Sequence, residues 1–338
     1  MRGATITIAI ALSFVKRGST FLFPISLKNS GVPSTQQKLH SMAQHSADVT
    51  SGVPESSLLS KVLEGAVAAA REAGELMKFR IGADIQKTKY NPKDLLTEVD
   101  AQCQKIVEDV VAKQFPDHTL LGEENVEPGA EASVSALEEA LKGSDWLWIV
   151  DPIDGTTNFV HGMPLSVVSI GVTYKGQLVV GCIYDPYREE MFTATKGGGA
   201  FLNDKPMKVG TQETIEEAAV ACGSPPGLLA LGPCVRGLTA LAPRVRTIRM
   251  LGSAAVMLAW VACGRLTTYW EPDLNSWDAA AGALLIQEAG GEMTDIDGSP
   301  YTISTRAIIG SNKFVHEGIR EILVEAGASR TDATPQLG

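Results

Sequence analysis

The sequence contains few cysteines and no cysteine pair motif. Five cysteines are scattered over 338 residues, and none of them belongs to a C-x-x-C pair. Their odd number and irregular spacing argue against a zinc finger and against a disulfide framework. The five histidines also lack the spacing of metal ligands. If the protein binds a metal ion, a hard cation with oxygen ligands is therefore the expected kind.

A long run of basic residues is also missing. The net charge is −10, and Lys and Arg are dispersed along the chain. Proteins that bind nucleic acid cluster these residues against the phosphate backbone, so nucleic acid is not expected as a partner. An acidic enzyme that handles a phosphate group must supply positive charge locally, and a bound metal ion would do so.

The N-terminal segment has no acidic residue before Asp48. Its apolar stretch, residues 4–15, is much shorter than the roughly 20 residues that a membrane-spanning helix needs, so no stable membrane insertion is expected. We predict that residues 1–50 are a targeting leader, directed to an organelle such as a plastid or a mitochondrion. The alternatives are an unstructured tail or a start at Met42, and the protein would then be cytoplasmic.

The remainder of the chain is expected to form one catalytic domain. We predict this domain over residues 51–326, with two lobes of which the second begins near residues 200–215, and a flexible tail over residues 327–338. A hydrophobic fraction of 44% and a charged fraction of 20% are ordinary for a globular domain with a sizeable core.

Apolar periodicity predicts helices and strands that are mixed throughout this domain, so the expected class is α/β or α+β in layers. The predicted helices are 57–80, 97–115, 131–142, 253–263, 277–289 and 313–326. The predicted strands are 118–121, 146–150, 167–174, 178–184, 190–195, 200–202, 246–250, 266–270, 291–295 and 307–311. Residues 225–243 are predicted to be a loop.

The most informative segment follows the apolar strand 146–150. Asp151 and Asp154 come directly after this strand, and Gly155 and Thr156 follow them. Carboxylates bind Mg²⁺, and backbone N–H groups at a turn bind phosphate. The segment therefore predicts half of a metal-dependent phosphate site.

Three further acidic residues lie beside apolar segments that could hold them rigidly. Each of them alone has a structural explanation: Asp100 could lie on a solvated helix face, Glu123 could be a loop charge, and Asp278 could favour the start of a helix. Two Mg²⁺ ions that lie close together need several carboxylates, because each ion takes about six oxygen ligands. The acids together are therefore candidates for one site.

Two other motifs are excluded by their spacing. Haloacid-dehalogenase phosphatases need two aspartates that are two residues apart. Asp151 and Asp154 are three apart, and the position two residues before Asp154 is Pro152. The segment 295–299 resembles the start of an EF-hand loop. Its sixth position would be Pro300 instead of glycine, so we interpret it as a turn.

Four segments together form a recognisable pattern: Trp148–Phe159, Trp277–Gly282 with Glu288–Gly291, Asp94–Asp100 and Gly122–Glu124. Through these segments the chain resembles the inositol monophosphatase family of Mg²⁺-dependent, lithium-sensitive sugar phosphatases. The segments occur in the family's order within residues 57–325. The resemblance implies a layered αβαβα sandwich and a homodimer.

The resemblance also implies a set of metal ligands. Glu123, Asp151 and the carbonyl oxygen of Ile153 correspond to the ligands of a first Mg²⁺. Asp151, Asp154 and Asp278 correspond to the ligands of a second Mg²⁺, and a third, weaker ion lies near Glu123 in the family.

The catalytic residues implied by the resemblance are Asp100 and Thr156. They match the pair that orients and deprotonates the attacking water, while the backbone N–H groups of Gly155 and Thr156 match the phosphate cradle. Hydrolysis by an activated water needs no covalent intermediate, so the chemistry requires no nucleophilic cysteine or histidine.

The substrate implied by the resemblance is a small phosphorylated polyol, with inositol monophosphate as the first candidate. Glu271 matches the carboxylate that binds inositol hydroxyls, and Asp154, Ala254 and Ser224 match other substrate-side positions. The segment 225–243 departs from the family pattern, which leaves histidinol phosphate and galactose 1-phosphate as alternatives. A non-catalytic homologue that binds metal or phosphate is the alternative of a different class.

Overall fold

The computed structural model of the protein describes residues 52–82, 87–88 and 95–334. The predicted leader, residues 1–50, lies outside the described residues, and so does Asp94 of the family motif. The described elements belong to one compact unit, Val53–Gly338.

Helices and strands alternate along the described chain. The helices are α1 Ser56–Arg80, α2 Glu98–Gln114, α3 Ala130–Gly143, α4 Thr156–Val160, α5 Leu228–Leu241, α6 Ala254–Ala262, α7 Ser276–Glu288 and α8 His316–Glu325. The strands are β1 Lys87–Thr88, β2 Leu95–Leu96, β3 Thr119–Gly122, β4 Trp146–Asp154, β5 Val167–Tyr174, β6 Gln177–Asp185, β7 Glu190–Thr195, β8 Gly199–Leu202, β9 Lys205–Pro206, β10 Ala219–Cys222, β11 Thr247–Arg249, β12 Thr268–Glu271, β13 Glu292–Asp295 and β14 Ile308–Ser311.

Two large sheets organise these elements into five layers. A seven-stranded sheet has the order β3-β4-β5-β6-β7-β8-β9, and a five-stranded sheet has the order β11-β10-β12-β14-β13. Helices α1 and α2 cover the outer face of the larger sheet, while α6 and α7 pack between the two sheets. Helices α5 and α8 cover the outer face of the smaller sheet. This arrangement confirms the predicted αβαβα sandwich.

The central helix α7 is buried on all sides because sheets or helices surround it, which explains its almost continuous run of small and apolar residues. The strands opposite it carry glycines where it approaches most closely. A Cβ atom at Gly171 would lie 2.7 Å from the Cβ of Ala280, and one at Gly181 would lie 2.8 Å from the carbonyl oxygen of Ala281. These contacts fix the position of the helix that carries Asp278.

The prediction of a loop over residues 225–243 is wrong, because helix α5 occupies Leu228–Leu241. Pro233 lies inside this helix and has no N–H group for the carbonyl oxygen of Leu229. The backbone N–H of Asp332 donates to that oxygen instead, at 2.8 Å. The glycine and proline content indicated a loop, but burial of one helix face against the smaller sheet outweighs the local preference.

None of the described helices is both long enough and apolar enough to cross a membrane.

Most predicted elements agree with the structure to within a few residues, and β5 and β7 agree at both ends. Strand β10 was not predicted.

Candidate active site

A bulge in β4 places Asp151 and Asp154 on the same side of the larger sheet. Asp151 pairs with Ser169 and Asp154 pairs with Val167 on β5, so a step of three residues on β4 faces a step of two on β5. In a regular strand, residues three apart point to opposite faces. The extra residue of the bulge reverses this parity. Pro152, which cannot donate a ladder hydrogen bond, lies within the irregular segment.

The third aspartate of the cluster comes from the beginning of α7. Asp278 lies in the first turn of α7, where its Oδ2 atom accepts a hydrogen bond from the backbone N–H of Asn275 at 2.6 Å. One carboxylate oxygen from each of Asp151, Asp154 and Asp278 lies within 4.8 Å of the other two. An all-oxygen cluster of this kind suits Mg²⁺, Mn²⁺ or Ca²⁺.

Asp154 is held against the N-terminus of α6. Its Oδ2 atom accepts hydrogen bonds from the hydroxyl of Ser253 and from the N–H of Ala255, the latter at 2.7 Å, and its Oδ1 atom accepts one from the N–H of Ala254 at 3.3 Å. Burial raises the pKa of Asp154 to about 6, although the bonds from Ser253 and Ala255 oppose this shift. The helix therefore fixes the orientation of a carboxylate that burial disfavours as an anion.

Glu123 contributes a fourth negative charge to the same region. The parallel pairing of β3 with β4 places Gly122 opposite Val150, so Glu123 and Asp151 follow at the same edge of the sheet. Burial raises the pKa of Asp278 well above its usual range, and the charges of Glu123 and Asp154 raise it further. Carboxylates that repel one another in a buried site are a fitting environment for a divalent cation, which relieves the repulsion. The donor set thus fits the predicted metal.

The predicted catalytic pair is also brought together. The Oδ2 atom of Asp100 accepts from the backbone N–H and the hydroxyl of Thr97, at 2.8 and 2.5 Å, and this bonding caps helix α2. Its Oδ1 atom faces the hydroxyl of Thr156 at 3.4 Å. The same hydroxyl lies 3.1 Å from the carbonyl oxygen of Ile153, the backbone group that the resemblance assigns to a cation.

Gly155 connects the metal cluster to the catalytic pair, and its position can be occupied only by glycine. Its φ angle is +92°, in the left-handed region. A Cβ atom there would also lie 2.9 Å from the carbonyl oxygen of Leu165 and 3.1 Å from the Cβ of Ser253. The turn therefore lets the β4 backbone pass closely beneath the N-terminus of α6, where Asp154 binds. The phosphate cradle at the Gly155 and Thr156 N–H groups stays a prediction.

Glu271 lies at the end of β12 and is almost fully buried. Its Oε2 atom accepts a hydrogen bond from the hydroxyl of Tyr269. Burial raises the pKa of Glu271 to about 8, although this hydrogen bond opposes the shift, and the charge of Asp154 raises it further. The last effect indicates that Glu271 and the metal cluster share one electrostatic environment. Ser224, by contrast, is exposed.

Three supporting residues were not singled out from the sequence. Ser253 caps α6 and binds Asp154, and a serine before an apolar helix is a recognisable signal for such a cap. Asn158 donates to the carbonyl oxygens of Leu165 and Leu251, both at 2.7 Å, and so ties the turn after β4 to the segment before α6. Tyr269 had no local signal, because its role depends on its proximity to Glu271.

Comparison with known proteins adds independent findings. The profile described as the inositol monophosphatase family matches residues 58–328. An inositol monophosphatase 3 of Solanum lycopersicum is 37% identical over 270 residues, covering 78% of this chain and 96% of the relative. A Nus factor SuhB of Pseudomonas aeruginosa is 38% identical over 257 residues, covering 74% and 91%. The solved structure of a Thermotoga maritima IMPase superposes with a TM-score of 0.70 at 30% identity, covering 79% of this chain and 98% of that one.

Proposed function

The chain belongs to the inositol monophosphatase family, and from this premise we propose that it hydrolyses inositol monophosphate to inositol and phosphate with the help of Mg²⁺. Membership makes the protein a hydrolase of the phosphatase class. The observation that carries the finer proposal is that an all-oxygen carboxylate cluster lies next to the pair formed by the buried Asp100 and the half-buried Thr156.

Five groups are proposed to hold the divalent cations. They are the carboxylates of Glu123, Asp151, Asp154 and Asp278 and the carbonyl oxygen of Ile153. A cation bound there supplies positive charge for the phosphate oxygens and lowers the pKa of a bound water. The chain keeps these ligands in place through a strand bulge, a helix cap and the N-terminus of α6.

Thr156 and Asp100 are proposed to orient the attacking water and to take its proton. The Oδ2 atom of Asp100 is held by Thr97, so its orientation is fixed, while the Oδ1 atom is directed at the Thr156 hydroxyl. When Thr156 donates its proton to Asp100, its oxygen lone pairs can accept a hydrogen bond from water. Proton transfer by a side chain that is positioned in this way typically contributes about 10²–10⁴-fold to a rate.

Glu271 is proposed to select the alcohol part of the substrate. It is a buried carboxylate whose Oε2 atom is engaged by Tyr269. A divalent cation bound at the neighbouring cluster would counteract the burial that raises the pKa of Glu271. The charged carboxylate would then accept hydrogen bonds from vicinal hydroxyl groups of a polyol, and a site built to bind hydroxyls discriminates strongly against substrates that lack them. Inositol phosphate fits this requirement, whereas histidinol phosphate carries no ring of hydroxyls. Galactose 1-phosphate, which does carry ring hydroxyls, is therefore a stronger alternative than histidinol phosphate.

The experiment that tests this proposal is a substrate panel with the purified chain. Phosphate release is measured from inositol 1-phosphate, galactose 1-phosphate, histidinol phosphate and a nucleotide monophosphate, each in Mg²⁺ and in EDTA. We expect inositol 1-phosphate to have the highest kcat/KM and every activity to be lost in EDTA. In Glu271→Gln the preference for inositol 1-phosphate over histidinol phosphate should fall about 10- to 100-fold, the effect of losing hydrogen bonds to a charged group.

The other outcomes of the panel each have a definite meaning. If kcat/KM is highest for histidinol phosphate or for galactose 1-phosphate, that ester is the substrate instead. Release of no phosphate from any ester in Mg²⁺ supports the non-catalytic alternative. Inhibition by lithium and assembly as a homodimer stay predictions that follow from the resemblance.

A further inference from the structure

The segment 271–278 carries a proposed site residue at each of its ends. Glu271 is the last residue of β12, and Asp278 lies in the first turn of α7. Between them the chain leaves the smaller sheet and turns into the central helix. The path of this segment therefore sets where the proposed polyol carboxylate lies relative to the cation cluster.

Arg306 lies beside this segment because of the pairing of β12 with β14. The antiparallel pairing ends with Glu271 opposite Ile308, so Arg306, two residues before Ile308, faces the residues that follow Glu271. The backbone N–H of Leu274 donates to the carbonyl oxygen of Arg306 at 2.9 Å. The backbone alone thus keeps Arg306 next to the segment, whatever its side chain does.

The guanidinium group of Arg306 makes three hydrogen bonds. Its Nε atom donates to Oδ1 of Asp273 at 2.6 Å, and its Nη1 atom donates to Oδ1 of Asn275 and to Oγ of Ser133, each at 2.9 Å. The side chains of Arg306 and Asp273 are only 25% and 26% exposed. A rigid, planar group with donors in fixed directions suits such a three-way contact.

Two of these bonds reach the site residues at the ends of the segment. Asn275 is the residue whose backbone N–H donates to Oδ2 of Asp278 at 2.6 Å, so Arg306 holds the residue that orients a proposed cation ligand. Asp273 follows Glu271 by two residues, so the same guanidinium also holds the chain next to the proposed polyol carboxylate.

The third bond connects the segment to the part of the fold that carries Glu123. Ser133 lies on α3 and is almost fully buried, and its hydroxyl donates to the carbonyl oxygen of Ala130 at 2.9 Å. Its oxygen lone pairs can therefore accept from Arg306. Helix α3 packs on β3, the strand that ends directly before Glu123. One guanidinium thus ties the segment of Asp278 to the layer of Glu123.

We propose that Arg306 is a positioning residue, which fixes the segment 271–278 so that Asp278 is ready to bind the cation and Glu271 to bind the polyol. Arg306 acts through its contacts with Asp273, Asn275 and Ser133. The inference rests on the proposed function, because it needs a cation among the carboxylates.

The geometry of the guanidinium must be separated from its charge. Removal of the charge would leave Asp273 negative and unpaired, which by itself would strengthen binding of a cation nearby. This effect would oppose the loss of positioning. Arg306→Lys keeps the charge and loses the planar fork of donors, so it tests the geometry alone.

Arg306→Lys is expected to weaken cation binding about tenfold, since groups that orient a metal ligand typically contribute about 10–100-fold to metal affinity. One ammonium group cannot replace three bonds that point in fixed directions. KM for the preferred ester should rise about three- to tenfold, while kcat at saturating Mg²⁺ should stay within about threefold. The catalytic pair is held by α2 and by the turn after β4, which Arg306 does not contact.

The test uses the full chain and measures binding of Mn²⁺ alone, without substrate, by electron paramagnetic resonance of the free ion. Steady-state kinetics and the melting temperature in EDTA complete it. Arg320→Lys is the matched control, because Arg320 is 17% exposed and binds Glu317 through two nitrogens on α8, at the outer face of the smaller sheet. Its Mn²⁺ affinity and KM should stay within about a factor of two of the wild type.

A second variant tests the route through Asn275. Asn275→Ala removes the Oδ1 acceptor of Arg306 but keeps the backbone N–H that binds Asp278. The double variant with Arg306→Lys should lose little more Mn²⁺ affinity than the weaker of the two single variants, because contacting residues are not additive. Losses that multiply in full would show that Arg306 does not act through Asn275, and the proposed route would be wrong.

The outcomes distinguish this inference from the proposed function. If the wild type binds Mn²⁺ and Arg306→Lys binds it equally well with an unchanged KM, the inference is overturned and the proposed function stands. If the wild type binds no Mn²⁺, the proposed function is overturned and the inference falls with it. If Arg306→Lys does not fold, Ser133→Ala removes a single contact of the guanidinium, and an unchanged Mn²⁺ affinity in that variant overturns the inference.

Discussion

Asp151→Asn is expected to lower kcat/KM by at least about 10³-fold, since the loss of even one group that stabilises transition-state charge costs about 10²–10³-fold. Asp151 is the residue that both predicted cation sites share, so its loss weakens both sites together. The fold should survive. The Oδ1 atom of Asp151 accepts from the N–H of Ile153 at 3.1 Å, and the amide oxygen of asparagine can accept the same bond. Phosphate release in Mg²⁺ measures the effect.

Asp145→Asn provides the matched control for this variant. Asp145 is exposed at the opposite end of β4, where its carboxylate lies 3.8 Å from Nζ of Lys175. This change makes the same chemical substitution far from the cluster and should leave kcat/KM within a factor of two. The melting temperature in EDTA should be similar for both variants and the wild type. Full activity of Asp151→Asn would show that the cluster is not the catalytic metal site.

Thr156→Val is expected to lower kcat about 10²- to 10³-fold with little change in KM, because a positioned proton-transfer group typically contributes about 10²–10⁴-fold. Valine keeps the shape of threonine but removes the hydroxyl that faces Asp100 at 3.4 Å. Thr156→Ser restores this hydroxyl and should recover most of the rate. Steady-state kinetics at saturating Mg²⁺ measures both parameters.

The neighbouring Thr157 is exposed and provides the control for this pair, since Thr157→Val removes a hydroxyl one residue away. A double variant with Asp100→Asn should lose little more rate than Thr156→Val alone, because residues that act as a unit are not additive. If the two losses multiply in the double variant, Asp100 and Thr156 act independently and the proposed pair is wrong.

The strands of the larger sheet could be predicted because their signals are local. β5 and β7 are apolar runs bounded by turn residues, and the structure places their ends as predicted. The strand ahead of Asp151 was recognised in the same way, and the resemblance then supplied the roles of the acids. The bulge that puts Asp151 and Asp154 on one side depends on pairing with β5, and no pattern within β4 specifies it.

The surroundings of Glu271 could not be predicted for a related reason. Tyr269 and Gly223 approach Glu271 from β12 and from the end of β10, and Cys234 on α5 contacts Gly223. Helix α5 itself was missed, because Pro233 normally ends a helix and the N–H of Asp332 that compensates for it lies almost one hundred residues away. Contacts between distant segments decided both cases.

The most direct measurement of the central claim is anomalous diffraction from crystals of the protein soaked with Mn²⁺, an ion that prefers the same oxygen ligands as Mg²⁺. The account predicts an anomalous peak among the carboxylates of Asp151, Asp154 and Asp278, and its loss in Asp151→Asn crystals. A wild-type crystal with Mn²⁺ bound only elsewhere, or with no Mn²⁺ at this cluster under conditions of full activity, would contradict it.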